Sequence, residues 1–97
     1  MKKLSEFKDR EAAVVVAKLM GPIWGILQNV ANADAAKEGV SPLDFVGKIL
    51  ENNPEQTLAI MAILSEQDPA EYHTNAAEML GNIALLASDT ELMALFR

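Results

Sequence analysis

The sequence predicts an all-α fold: a compact bundle of five to six short helices forming a single domain over residues 1–97. Three observations predict it. Helix-start signals recur five times between Ser41 and Glu91, no run alternates with period two between turn residues, and 97 residues leave room for only one core. Each signal has the same physics. A cap oxygen accepts a bond from an orphan N–H, a proline has no N–H to lose, and an acid at the third position favours the positive end of the helix dipole.

The elements follow in order. A first helix is expected from about Ser5 to Met20 and a second after Gly21-Pro22, fading in the Ala- and Asn-rich stretch before Gly39. Gly21-Pro22 either breaks the chain or kinks one long helix. Gly21 and Gly25, four apart around Trp24, would let another helix backbone approach closely. The loop from Asn32 to Val40, including Asp34, Lys37 and Glu38, is the expected flexible piece. Ser41-Pro42-Leu43-Asp44 opens a helix to about Glu51, with Leu43, Val46, Ile49 and Leu50 on one face. Asn53-Pro54-Glu55-Gln56 opens another to about Glu66, and Asp68-Pro69-Ala70-Glu71 a short turn. Asn75-Ala76-Ala77-Glu78 starts a helix to about Ala87, and Ser88-Asp89-Thr90-Glu91 a last one ending near Phe96. Leu58 to Leu64 is apolar all round, which marks its helix as the central one, enclosed on every side.

Composition excludes several classes of function. The absence of cysteine removes disulfide scaffolds and Cys-ligated zinc, and a single histidine removes multi-His metal sites. The net charge of −6 is uneven: residues 1–48 balance near +1, whereas residues 49–97 set Arg97 against eight acids. Phosphate recognition needs clustered Lys and Arg, so nucleic acid is not an expected partner. The start resembles a secretory signal only superficially, since Glu6, Asp9 and Glu11 put acids where such a signal carries positive charge. Lys18 and Gly21-Pro22 interrupt the apolar run, so no membrane span is expected and the protein reads as cytoplasmic.

No enzyme site emerges. A nucleophilic relay would depend on His73 alone, flanked by Tyr72 and Thr74. Glu66, Asp68 and Glu71 lack the spacing and central glycine of a calcium loop, and no phosphate loop is present. The expectation is a protein without catalytic residues, metal or cofactor.

Apolar surface, in contrast, is in surplus. The N-terminal helices, with Val15, Leu19, Ile23, Trp24 and Leu27, and the last helix, with Leu92, Met93, Leu95 and Phe96, carry more apolar side chains than so small an interior holds. Each large one left in water forgoes roughly 1.5–3 kcal/mol of burial. Five or six of them rival the ~5–15 kcal/mol stability of a whole domain. All of these but Leu95 form the candidate protein-binding set of eight, and the surplus predicts a partner or a homo-oligomer. An acidic adaptor or inhibitor that covers a basic protein surface is the alternative.

Several segments, in order, resemble one family. Glu6-Phe7-Lys8-Asp9-Arg10-Glu11-Ala12 is followed by Gly39-Val40-Ser41-Pro42-Leu43, Asn53-Pro54, Ile60 to Leu64, Asp68-Pro69-Ala70-Glu71-Tyr72 and Ser88 to Phe96. Together they are similar to the small tail assembly chaperones of long-tailed bacteriophages and prophages of Gram-positive bacteria. Gly21-Pro22-Ile23-Trp24-Gly25 departs from the more polar stretch expected there. The resemblance implies that the chain binds the tape measure protein, a long helical client rich in apolar segments. It would keep that client soluble in the host cytoplasm while tail-tube subunits, a further partner, polymerise around it. Methionines at 20, 61, 79 and 93 suit a repacking surface of that kind.

Overall fold

The computed structural model describes residues 1–33 and 39–96. Five α-helices and three single-turn 3₁₀ segments account for its regular structure, with no strand among the described residues. They are α1 (Asp9–Gln28), α2 (Pro42–Asn52), α3 (Pro54–Leu64), α4 (Ala76–Ser88) and α5 (Thr90–Ala94). The 3₁₀ turns are Leu4–Glu6, Val30–Asn32 and Pro69–Glu71. Residues 34–38 of the loop expected to be flexible lie outside the described residues.

Two expected N-terminal helices are one. The backbone runs through Gly21-Pro22 as a single 20-residue helix. Proline there leaves the Lys18 carbonyl without its usual i+4 donor, yet the helix is held on both sides of that position by Leu19 and Ile26, each 1% exposed. Tertiary burial therefore overrides a local break. Gly25 also differs from expectation: it faces the Gln56 side chain of α3, where an added Cβ would sit 3.2 Å from Cγ, and Gly21 faces open space. Neither accommodates a helix backbone.

α3 is the central helix, as its all-round apolarity predicts. Thr57, Ile60, Met61, Ala62, Ile63 and Leu64 are all buried. α1 packs on one side of α3 and α2 on the other, with α4 beyond α2. Thr57 is tolerated in the core because its hydroxyl lies 2.8 Å from the Asn53 carbonyl and 3.1 Å from that of Ile49. Phe45 of α2 meets Phe96 with ring centroids 5.0 Å apart.

Three of the five expected caps act through a side chain: Ser41, Asp68 and Asn75 accept from Asp44, Ala70 and Glu78 N–H groups. At the last, the cap is Asp89 and not Ser88, accepting from Leu92 N–H at 3.1 Å. Asn53 makes no side-chain cap. Its Oδ1 instead accepts from Asn29 and Asn32, both at 2.8 Å, while Asn52 donates to Asn32 Oδ1 at 3.0 Å. This amide cluster ties the end of α1 to the α2–α3 corner, and Asn32 within it is buried. Asn53→Ala would remove one acceptor from each of two amides, which keep only the Asn52 and Ile26 carbonyls, and is expected to cost about 1 kcal/mol, measured by urea unfolding.

α3 ends in a Schellman turn: Gln67 N–H donates to Ala62 O and Glu66 N–H to Ile63 O. Glu66 occupies the left-handed position with φ 60°, where glycine is favoured. It is held there by Lys2, whose Nζ lies 3.2 Å from Glu66 Oε1 and 3.6 Å from Glu11. The hydrogen bond from Lys2 keeps the Glu66 carboxyl below its ordinary value, and the same bond raises Lys2. Glu66 therefore favours the folded chain above the ordinary carboxylate range, and that contribution fades as pH falls through its lowered pKa. Because the pair is solvent-exposed, Glu66→Gly is expected to raise the midpoint of urea unfolding, with relief of the left-handed φ outweighing the lost ion pair.

Candidate protein-binding groove

The site begins with the pattern of α1. Apolar residues cover its whole circumference, but packing against α3 takes only the stripe Val15, Leu19 and Ile26. The opposite arc is left in water: Val16 is 52% exposed, Met20 66%, Trp24 62% and Leu27 46%. Their spacing of three and four residues places them in one row.

That row forms one wall of an open groove of about 370 Å³. Leu19 and Ile23 contribute the floor, and Leu4 and Leu95 stand in the facing wall, so that every lining residue is apolar. The second wall comes from the two ends of the sequence. One carboxylate holds both of them: Asp89 Oδ2 accepts from Leu4 N–H at 2.7 Å, and Asp89 Oδ1 caps α5, the helix that leads into Leu95. Asp89 is 3% exposed. The N-terminal strand of chain is pinned further by Lys2 N–H to Leu64 O at 2.8 Å and by burial of Phe7.

The eight residues expected to bind protein divide. Leu19, Ile23, Trp24 and Leu27 come together in the groove. Val15, Leu92, Met93 and Phe96 are all buried, which corrects the expectation that Leu92, Met93 and Phe96 are unused apolar groups, whereas Leu95 beside them is left exposed. The reason is that α5 tucks its apolar face inward, with Phe96 against Phe45, and leaves only Leu95 half-exposed. Leu19 is likewise 1% exposed, so it supports the groove floor from within the core. Sequence reasoning missed Val16, which shares the four-residue spacing with Met20 and Trp24, and it missed Leu4, which is remote in sequence and carries no local signal. Met20 and Leu95 were legible as a repacking methionine and a surplus apolar group, but were not placed in the binding set.

A second depression, about 800 Å³, lies between α1 and the turn after α3. Its lining mixes Val14, Val15 and Ile63 with Glu11, Lys18, Glu66 and Asp68. His73 is exposed and lies beside Tyr72 and Thr74 in a shallow hollow with Glu55. Tyr72 accepts a hydrogen bond from Asn82, and Thr74 lies 3.4 Å from Glu78. Among the described residues no group of three or more acidic or histidine side chains is arranged to hold a metal ion.

By length and composition alone α1 is long and apolar enough to cross a membrane, with mean hydropathy 1.2, a property that it shares with core helices of water-soluble proteins and with signal sequences.

Compared with protein-family models, curated proteins and solved structures, the chain matches none.

Proposed function

We propose that this chain is a binding protein for apolar helical segments and works as an assembly chaperone. The observation that carries the reading is the all-apolar groove between α1 and the Leu4–Leu95 wall, open to water along the row Val16, Met20, Trp24 and Leu27. A groove of this kind accepts the apolar face of an amphipathic helix, whose own side chains repeat every three to four residues. The flexible thioether of Met20 and the broad ring of Trp24 suit a succession of different apolar sequences. The exposed acids of the second half, including Glu51, Glu55, Glu78 and Glu91, would keep such a complex in solution. The family resemblance supplies the client: the tape measure protein of a phage tail, held soluble until tube subunits enclose it.

Co-expression with the long helical product encoded downstream tests the proposal. The client is expected to become soluble only with this chain present, and the rescue to persist when salt rises from about 0.05 to 0.5 M, since apolar contact is not screened. Rescue that collapses over that range would favour a charge-led adaptor instead.

A further inference from the structure

The outward face of α1, next to the groove, has a feature of its own. From Ala13 to Trp24 its outermost positions are Ala13, Ala17, Met20, Gly21 and Trp24, all exposed and none charged. From Ala17 to Trp24 small and large residues alternate along it. If two copies of α1 cross antiparallel about a point between Met20 and Gly21, Trp24 of each lies over Ala17 of the other and Met20 over Gly21. Nothing in the chain lies within 4 Å of a Cβ built at Gly21, so that hollow is free to receive a side chain. The face is thus self-complementary under a two-fold axis, the requirement for an isologous contact. Antiparallel crossing also opposes the two helix dipoles.

Area supports a second copy as the occupant. The exposed portions of this face and the flanking Val16 and Leu27 amount to roughly 500 Å² per chain, toward the upper end of the largest apolar patch on a typical monomer. Two of them together bury on the order of 1,000 Å², the least that a biological contact needs and the size of a reversible dimer.

We infer that the protein forms a two-fold dimer through α1, with Trp24 of each copy seated over Ala17 of its partner and Met20 over Gly21. Because Met20 and Trp24 belong to both surfaces, the dimer closes part of the groove, and a client helix and the second copy exclude one another. The dimer itself does not rest on the chaperone reading, since its measurement needs no client.

Sedimentation equilibrium of the full chain between about 1 and 200 µM is the test. The expected result is a mass that rises from 10.5 kDa toward twice that value. Ala17→Glu places a charge on an exposed helical position that lines no pocket in the monomer, and it is expected to weaken association at least 100-fold with circular dichroism unchanged. In the otherwise cysteine-free chain, Gly21→Cys is expected to cross-link with a short bismaleimide, and Val30→Cys is not. A monomer at 200 µM, a dimer indifferent to Ala17→Glu, or cross-linking at Val30→Cys in preference to Gly21→Cys would each overturn the inference.

Discussion

Asp89→Ala is expected to lower the unfolding free energy by about 2–4 kcal/mol, a large part of the stability of a 97-residue chain. Two losses combine. The α5 N-cap contributes about 1 kcal/mol. The partly buried Leu4 N–H loses a charge-assisted bond of 2.7 Å, costing about 1.5–3 kcal/mol. Asp89→Asn keeps an acceptor for one of the two donors and is expected to cost about half as much. Urea unfolding followed by circular dichroism measures both. A second readout separates position from stability: at a temperature where the variant remains folded, Leu4 and Leu95 no longer face α1 across a fixed gap, and client rescue is expected to fall further than the folded fraction does. Equal declines would mean that the wall does not shape the site.

The other large effect is a contrast between neighbours on α1. Leu19→Glu buries an unpaired charge at a position 1% exposed and is expected to unfold the chain, a loss above about 4 kcal/mol. Trp24→Glu, five residues on and 62% exposed, is expected to change stability by less than about 1 kcal/mol and to abolish client rescue. Helicity by circular dichroism and yield of soluble client, measured on the same preparations, check the pair. A folded Trp24→Glu chain that still solubilises the client would remove the groove from the mechanism.

The contrast also marks how far the sequence could be read. Both residues sit in one apolar run, and hydropathy does not separate them. The helix grammar was legible because it is local: Ser41, Asp68 and Asn75 cap the helices that their spacing announces. The exceptions are local signals diverted by distant partners. Asn53 has the cap pattern but gives its oxygen to Asn29 and Asn32. Ser88 has the cap position, yet Asp89 takes it, because that carboxylate is also needed by Leu4.

Within the binding site the same division holds. Ile23, Trp24 and Leu27 were legible as surplus apolar groups on a helix, whereas Leu92, Met93 and Phe96 looked equivalent and are core. A short C-terminal helix can turn either face inward, and Phe45, more than forty residues earlier in the chain, decides which. Leu4 and Leu95 became a wall only when the chain ends met.

The all-helical class, the caps of α2, α4 and the Pro69 turn and the central place of α3 were determined by the sequence alone, since capping bonds and an all-round apolar surface act over a single turn or a single helix. Only the tertiary structure decided that α1 runs unbroken through Pro22, which of its apolar stripes is buried and which lines the groove. Those outcomes depend on packing energy shared between segments far apart in the chain, and no window of neighbouring residues contains that quantity.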